Sequence, residues 1–432
     1  MRLYSTLQRE KVALPPPPGP IRMYFCGPTV YARAHVGNAR PFVFGMWLRS
    51  WLRRRGYEVT LVHNITDIND KIYRAASGES SADLAERATH WYLEDVSALG
   101  LGLPDHLPRA TESIPRIVEF IQALIDRGNA YEVDGDVYFR VASYPGYGEL
   151  SRQRVDQVEG QDEEDVPNPR KEDPRDFALW KANKPGEDTW WESPWGRGRP
   201  GWHIECSAMA EEILGPAFEI HGGGLDLVFP HHENELAQSR SLGHEFAQIW
   251  THNGMLRSTG SKMAKSEGNF VTIRDAVDRW GAETLLLFFM TGHWSKPIDF
   301  SEETMEQARS QLDTFRNHFV GLDHEPEPGE DEEEALARVL EDDFNTPDAL
   351  AVLHDWRARG RSASLRWGLE LFGLGSVAAG ASAPTELVDL AERRQRARAE
   401  RAFEEADRLR SEIESAGWDV RDVADGYQLV PR

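Results

Sequence analysis

Long apolar runs are missing from this chain of 432 residues. No segment approaches the roughly 20 consecutive apolar residues that a membrane-spanning helix needs. The first residues, Met1 to Val12, are polar and lack the apolar core of a secretory signal. We therefore expect a cytoplasmic protein that does not associate with a membrane.

Cysteine is also scarce: Cys26 and Cys206 are the only two, and they lie far apart in the sequence. Without a secretory context, a disulfide between them is the less expected outcome. Metal binding and thiolate chemistry are the alternatives, because a thiolate is both a soft ligand and a nucleophile. So few cysteines exclude a fold that depends on a disulfide framework.

Positive charge is in short supply, since 49 lysines and arginines face 72 acidic residues, for a formal net charge of −23. Repulsion between like charges argues against loose binding to a polyanion. Two runs, Glu159 to Asp165 and Glu325 to Glu334, hold twelve acidic residues and no basic one, which is about half of the net negative charge, so a local basic surface is compatible with the total. Arginines crowd two short segments, one with Arg49, Arg53, Arg54 and Arg55 and one with Arg393, Arg394, Arg396, Arg398 and Arg401. Taken alone, each cluster favours a solvated helix face.

The N-terminal part has the pattern of a parallel α/β sheet. Ile21 to Phe25 is a compact apolar run that ends at Cys26, as a buried strand entering a loop does. Phe42 to Leu52 predicts a helix that stops before Gly56, and Val59 to Val62 predicts a second buried strand. The order strand, loop, helix, strand begins a Rossmann-like parallel sheet.

An insertion is predicted inside this sheet domain. Ile114 to Arg127 has a helical pattern, Val137 to Val141 alternates like a strand, and an acidic stretch with prolines runs from Glu159 to Pro174. Strand character resumes at Phe218 to Ile220 and at Phe246 to Trp250, which completes the sheet. We therefore predict the first half of the sheet domain at 1–110, a connective insertion at 111–198, and the second half of the sheet domain with a connecting region at 199–300.

The remainder of the chain has a helical pattern. Met305 to Phe319 and Ala335 to Leu340 predict helices, with the acidic run between them as a solvated linker. The small residues of Gly375 to Pro384 predict a flexible connection to one charged helix, Leu387 to Ser415, and a short tail, Trp418 to Arg432. The expected domains are an all-helical bundle at 301–374 and a small C-terminal domain at 385–432.

Two loops have compositions that suit phosphate. The first runs from Cys26 to Asn38 into a helix, where unpaired backbone N–H groups, Gly37, His35 and Asn38 can approach a developing negative charge. The second, Lys262 to Asn269, places two lysines three residues apart beside a glycine. Taken separately, the first loop is more often explained by a satisfied histidine and the second by a solvated basic turn.

A metal site is the third candidate. Cys26 begins the first loop, Cys206 lies in the string Gly201 to Ser207, and His231 precedes Glu235 by four positions, which is one helical turn. Two thiolates, an imidazole and a carboxylate suit zinc better than magnesium or calcium. The alternative is that both cysteines are simply buried apolar residues, which is the more common use of the side chain.

Taken together, the two loops resemble the paired signatures of class I aminoacyl-tRNA synthetases. Within that class the chain looks like a cysteinyl-tRNA synthetase, and the similarity extends from Leu3 to the C-terminal tail. The strings that carry this resemblance are Tyr24 to Tyr31, Asn64 to Asp67, Gly201 to Ser207, His221 to Asp226 and Phe229 to Glu235.

The resemblance implies a role for each matching residue. The zinc ligands of the family fall on Cys26, Cys206, His231 and Glu235, with one ion per chain. Cysteine binding is implied for Gly27, Thr66, Trp202 and His221. ATP binding is implied for Thr29, His35, Gly37, Asn38, Gly224, Asp226, Lys262 and Lys265, and catalysis for His35, Asn38, Lys262 and Lys265. The substrates implied are L-cysteine, ATP with Mg²⁺, and tRNA-Cys, and we expect a monomer.

Two positions depart from the family pattern. Asn38 stands where a second histidine is common, and it still donates a neutral hydrogen bond. Ala264 replaces the serine between the two lysines, which removes one hydroxyl and leaves both cations in place.

Two other functions share these motifs. The cysteine ligase of mycothiol synthesis has the same adenylation site and an amino-sugar acceptor, but it lacks a tRNA-binding C-terminal region. Asp342 to Pro347 and Ala402 to Arg410 look like the helical and anticodon-side regions of the synthetase, which favours tRNA. A non-catalytic RNA-binding paralogue is the third possibility, and retention of both lysines and all four ligand positions speaks against it.

Overall fold

The structure is a computed structural model. It describes residues 1–154, 169–258, 261–262, 270–320, 330–379, 384–423 and 426–431. Contacts divide the chain into two compact units, one with Met1–Ala282, Gly292–Ser301 and Val339–Thr346 and the other with Glu283–Thr291, Glu302–Arg338 and Pro347–Arg432. The predicted five-part domain division is finer than these two units and stays a prediction.

Strands and helices alternate through most of the first unit. In chain order they are β1 (Arg2–Ser5), β2 (Glu10–Ala13), β3 (Pro20–Phe25), α1 (Val36–Arg54), β4 (Glu58–His63), α2 (Asp70–Ala75), α3 (Ser81–Ser97), α4 (Ile114–Asp126), β5 (Ala130–Val133), β6 (Asp136–Phe139), β7 (Phe177–Ala182), β8 (Gly198–Pro200), α5 (Trp202–Leu214), β9 (Ala217–Gly224), α6 (Glu233–Ser241), β10 (Phe246–Asn253), β11 (Leu256–Ser258), β12 (Ser261–Lys262) and α7 (Ile273–Trp280), with β13 (Ile298–Asp299) further on.

The central sheet of this unit is parallel and has the strand order β10-β9-β3-β4. The apolar runs predicted as strands form it, because such runs lose least when both faces of a sheet are covered. Tyr24 pairs with His221, and Phe25 with His63, so polar residues follow the carboxyl ends of neighbouring strands. In open parallel sheets this edge is where ligands bind. The predicted Rossmann-like fold is confirmed.

The helix predicted at Phe42 to Leu52 is the second part of α1, which begins earlier, at Val36. The chain leaves it at Gly56, whose φ of 86° lies in the left-handed region that favours glycine.

A second sheet lies between β4 and β9 in the sequence. It is antiparallel, with the order β5-β6-β7-β8, and its core includes Phe139, Phe177 and Trp180. The predicted strand Val137 to Val141 is shorter than expected, since β6 ends at Phe139 and residues 141–143 form a 3-10 turn. The acidic run Glu159 to Asp165 lies outside the described residues.

The described part of the second unit is mainly helical. Its elements are α8 (Ala282–Met290), α9 (Glu302–His318), α10 (Glu330–Leu340), α11 (Thr346–Ala358), α12 (Ser362–Leu371), α13 (Thr385–Ala399), α14 (Phe403–Ser415), β14 (Trp418–Val423) and β15 (Gly426–Pro431). The first residue of α8, the last two of α10 and the first of α11 are assigned to the first unit.

Two expectations for this region were wrong, and the tail, for which no secondary structure was predicted, forms a hairpin. The single helix Leu387 to Ser415 is two helices, α13 and α14, because Arg401 adopts a φ of 61° that no helix continues through. The hairpin is formed by β14 and β15, and the two helices and the hairpin share a core with Leu387, Ile413 and Val420. The end of the acidic linker is already helical, since α10 begins at Glu330.

No described helix combines the length and apolar character that crossing a bilayer requires. The most apolar segment, α8, spans only 9 residues.

Candidate active site

Four metal-ligand side chains meet beyond the carboxyl ends of the parallel strands. They are Cys26 after β3, Cys206 on α5, His231 on the turn before α6, and Glu235 on α6. One ligand atom from each lies within 4.8 Å of the others, and all four side chains are buried. The two sulfurs are 3.8 Å apart, so both cysteines are free thiols. The predicted one-turn spacing places Nε2 of His231 3.2 Å from Oε1 of Glu235.

Burial controls the protonation of these ligands. It raises the pKa of the Cys26 thiol well above its ordinary value and also raises that of Cys206, while it lowers the pKa of His231 well below its ordinary value. Burial alone thus favours protonated thiols. A bound divalent cation would lower the pKa of both thiols, because it stabilises the thiolate form. Two sulfurs, one imidazole nitrogen and one carboxylate oxygen form a borderline-soft set that fits zinc and does not fit magnesium or calcium.

Neighbouring side chains fix the orientation of the ligands. Nε2 of His221 lies 2.8 Å from Oε2 of Glu235, and Nδ1 of His203 lies 3.0 Å from Nδ1 of His231. The indole of Trp202 stacks on the His231 ring at 4.3 Å. Partners of this kind orient metal ligands and adjust their basicity. Cys26, His221, His232 and Glu235 form an overlapping second group of potential ligands.

A cavity of about 280 Å³ adjoins this cluster. Most of the predicted substrate residues line it: Gly27, Thr29, His35, Gly37, Asn38, Trp202, Gly224 and Asp226. Cys26 also lines it, so one metal-ligand side chain borders the same space. Thr66 and His221 are buried and do not belong to the cavity lining.

Gly27 and Thr66 are joined by the side chain of Asn64. The backbone N–H of Gly27 donates to Oδ1 of Asn64 at 2.9 Å, and Nδ2 of Asn64 donates to Oγ1 of Thr66 at 3.2 Å. A Cβ atom on Gly27 would lie 1.7 Å from the carbonyl oxygen of Asn64. Position 27 therefore requires glycine, and Thr66 supports this wall of the cavity from behind.

The start of α1 explains how Asn38 is used. The backbone N–H of His35 donates to Oδ1 of Asn38 at 3.2 Å, and the N–H of Asn38 donates to the carbonyl of His35 at 2.8 Å. The amide oxygen of Asn38 is thereby engaged in the first turn, and its NH₂ group remains as a donor. A Cβ on Gly37 would lie 2.8 Å from the His35 ring, so glycine gives that ring its room.

The predicted lysine loop is described only at its edges. The backbone of Lys262 ends β12, whereas Lys265 lies outside the described residues. Leu256 before the loop and Phe270 after it both line the cavity. The His35 and Phe270 rings meet edge to face at 5.6 Å, so the chain that follows the loop contacts the first signature segment.

Sequence reasoning gave no role to Arg33, His63, Lys71, Tyr92 or His252 at this site. Arg33, His63, Lys71 and Tyr92 line the cavity. Behind the cluster, Nδ1 of His232 lies 2.8 Å from Nε2 of His252, and Nδ1 of His252 lies 2.7 Å from Oγ1 of Thr6. No local pattern announces such pairs, because the partners come from distant parts of the chain. For His63 a usable signal did exist: it is a polar residue that directly follows the predicted buried strand Val59 to Val62, and such residues lie at the ligand-binding edge of a parallel sheet.

Comparison with known sequences gives one consistent family. The family described as tRNA synthetases class I (C) catalytic domain matches residues 15–310. The cysteine–tRNA ligase of Geobacillus thermodenitrificans is 48% identical over 373 residues, which covers 82% of this chain and 79% of the relative. The cysteine–tRNA ligase of Anoxybacillus flavithermus is 41% identical over 460 residues, with 99% and 98% covered.

Solved structures share the fold at low identity. Methionyl-tRNA synthetase of Mycobacterium tuberculosis, in complex with methionyl-adenylate, has a TM-score of 0.58 at 16% identity and covers 83% of this chain and 88% of its own. LeuRS of Agrobacterium radiobacter K84, in a ternary complex, has a TM-score of 0.58 at 12% identity, with 85% and 86% covered. Together with the family match and the near full-length relatives, this establishes that the chain belongs to the class I cysteinyl-tRNA synthetases and is an aminoacyl-tRNA ligase.

Proposed function

We propose that this protein activates L-cysteine with ATP and transfers it to the 3′-terminal adenosine of tRNA-Cys. One observation carries the proposal: a sulfur-containing ligand set lies directly beside a cavity lined by the first class I signature. The ligand set suits a thiol substrate, and the cavity suits a nucleotide. Both are properties of described residues at the binding edge of one parallel sheet.

The cysteine half of the site depends on zinc. Cys26, Cys206, His231 and Glu235 would hold one ion per chain. When bound, the ion supplies a position for which a thiolate is a far better ligand than a serine hydroxyl or an apolar methyl group. Gly27 and Trp202 line the space beside that position, and Thr66 and His221 support it from behind. Selection by shape alone would give only roughly 10- to 200-fold discrimination.

The nucleotide half uses positioning and charge. In the first step a carboxylate oxygen of cysteine attacks the α-phosphorus of ATP, and pyrophosphate leaves. A ribose hydroxyl of the tRNA then attacks the carbonyl of the cysteinyl adenylate, and AMP leaves. Thr29, His35, Gly37 and Asn38 would approach the phosphates, and Gly224 and Asp226 the adenosine, with Asp226 accepting from the ribose. Lys262 and Lys265 would neutralise the departing pyrophosphate, and Mg²⁺ would accompany the ATP.

The same proposal includes tRNA as the acceptor of cysteine, the cytoplasm as the location and a monomer as the oligomeric state. Exposed arginines on and after α13 offer contacts to RNA phosphates, which an amino-sugar acceptor would not need. We further propose that the protein works in the cytoplasm as a monomer.

Two assays test the proposal. Cysteine-dependent ATP–pyrophosphate exchange, with serine as the control amino acid, measures activation, and charging of tRNA-Cys measures transfer. We expect both with cysteine and neither with serine. Exchange without charging would assign the acceptor to the amino-sugar ligase reaction. A chain that binds tRNA but shows no exchange would be a non-catalytic paralogue.

A further inference from the structure

Helix α3 carries one fully buried carboxylate beside the candidate active site. The Asp95 side chain has 0% exposure, whereas that of its neighbour Glu94 has 40%. Nη1 of Arg33 donates to Oδ1 of Asp95 at 2.6 Å, and Nε of Arg274 donates to the same oxygen at 3.2 Å. One oxygen atom thus accepts from two guanidinium groups.

The two arginines come from the two signature segments. Arg33 lies in the loop that runs from Cys26 to Asn38 and lines the cavity. Arg274 is the second residue of α7, the first helix after the lysine loop. Asp95 therefore connects both segments through a third element that carries neither signature.

The same segments also meet through their backbones. The N–H of Val36 donates to the carbonyl of Val271 at 2.9 Å, and the N–H of Ile273 donates to the carbonyl of Ala34 at 3.0 Å. These bonds fix the register of the contact and need no side chain. What Asp95 adds is charge, because without its carboxylate two guanidinium groups would face each other at this contact.

A buried carboxylate is costly to keep. Burial raises the pKa of Asp95, and the hydrogen bonds and charges of Arg33 and Arg274 act in the opposite direction. Its second oxygen, Oδ2, has no hydrogen-bond partner among the described residues. A carboxylate at this position costs desolvation free energy that an apolar residue would avoid. Its presence indicates that Arg33 and Arg274 need a fixed negative partner.

We propose that Asp95 is a positioning residue for the ATP half of the reaction, which it serves by holding Arg33 at the cavity wall and Arg274 at the exit of the lysine loop. This inference rests on the proposed function. Asp95 touches neither substrate, and it acts through the two arginines. Loss of its charge leaves Arg33 with only the Glu94 carboxylate at 3.7 Å and the face of Trp91 as partners among the described residues. Arg33 then shifts at the cavity wall, and the start of α7 shifts with Arg274. The cysteine side, formed by β3, α5 and α6, stays intact.

The test compares two neighbouring substitutions of the same kind. Asp95→Asn removes the buried charge with little change of shape, and Glu94→Gln removes an exposed charge that lies 3.7 Å from the same Arg33. For each variant, ATP–pyrophosphate exchange is measured as a function of ATP and of cysteine, together with metal content and Tm. We expect Asp95→Asn to lower kcat/KM for ATP by about tenfold or more. The KM for cysteine and the metal content should stay within about twofold of wild type, and Glu94→Gln should match wild type throughout.

Several results would overturn the inference. Asp95→Asn with an unchanged KM for ATP would do so, including a fall in kcat alone with a lowered Tm, which is what general destabilisation gives. Should Asp95→Asn fail to fold, Arg274→Gln removes one arm of the same contact and must then show the ATP-specific loss. A wild-type chain inactive with cysteine contradicts the proposed function instead, and the comparison then proceeds with the amino acid that the chain does activate.

Discussion

Nε2 of His221 lies 2.8 Å from Oε2 of Glu235, and both side chains are completely buried. The other carboxylate oxygen, Oε1, lies 3.7 Å from Sγ of Cys26 and 3.2 Å from Nε2 of His231. One carboxylate therefore faces the other ligands with one oxygen and is held from behind through the other. His221 therefore contacts the ligand group through Glu235 and holds that carboxylate from the side opposite Cys26 and His231.

Removal of this support should weaken metal binding. For His221→Ala we expect roughly 10- to 100-fold lower zinc affinity, the usual effect of losing a partner that orients a ligand. Competition with a chelator of known affinity measures it. His90→Ala is the matched control, since that histidine has 71% exposure. An unchanged affinity in His221→Ala would mean that Glu235 keeps its orientation without this hydrogen bond.

Replacement of a ligand should be more severe. Cys206→Ser exchanges a thiolate for a hydroxyl, which is a poor zinc ligand, so metal and cysteine activation should be lost together. Elemental analysis and pyrophosphate exchange on the same preparation check both. Elemental analysis that finds no zinc in undamaged wild-type protein would refute the metal site, and full activity in Cys206→Ser would refute its role.

The lysine loop gives a kinetic prediction. If Lys265 interacts with the triphosphate most strongly in the transition state, Lys265→Ala should lower the rate of activation far more than it weakens cysteine binding. Pyrophosphate exchange gives the rate, and its dependence on cysteine concentration gives the KM. A variant with wild-type exchange would show that Lys265 has no such role.

The features that were predicted correctly from the sequence are those that depend on local patterns, namely the buried strands and the types of the potential ligand residues. The buried strands β3 and β4 are apolar runs, and the ligand types at Cys26, Cys206, His231 and Glu235 are visible as residues. The sheet places only Cys26, which follows β3, at the binding edge; Cys206 and Glu235 lie on α5 and α6, so their meeting with Cys26 depends on helix packing that no local pattern shows.

Long-range partners were not predictable in this way. Asp95 lies on an amphipathic helix, where an acidic residue is ordinarily solvated, and only the fold shows that Arg33 and Arg274 surround it. The break between α13 and α14 was missed for a related reason. Arg401 has no helix-breaking side chain, and its φ of 61° is imposed by the packing of two short helices against the hairpin.

The arginines near the C-terminus separate into two groups, and this gives the last prediction. Arg394 is buried and pairs with Asp422, which Arg398 also contacts, so these two hold α13 to the hairpin. Arg396 and Arg401 are exposed, and the described residues include no ion-pair partner for either. Arg396 and Arg401 therefore have charge available for RNA phosphates, whereas Arg394 and Arg398 are already neutralised by Asp422.

We therefore expect the double variant Arg396→Gln with Arg401→Gln to keep cysteine-dependent pyrophosphate exchange and to lose efficiency in charging tRNA. The loss should appear as a raised KM for tRNA. The slope of log affinity against log salt should become shallower by roughly 0.7 to 0.9 for each phosphate contact removed. Arg408→Gln is the control, because Arg408 is already paired with Glu405 and Glu412 on the same helix. Equal charging by the double variant and the control at two salt concentrations would show that this face does not bind tRNA. A parallel loss of exchange would instead mean that the substitutions disturb the catalytic unit, since activation requires no RNA.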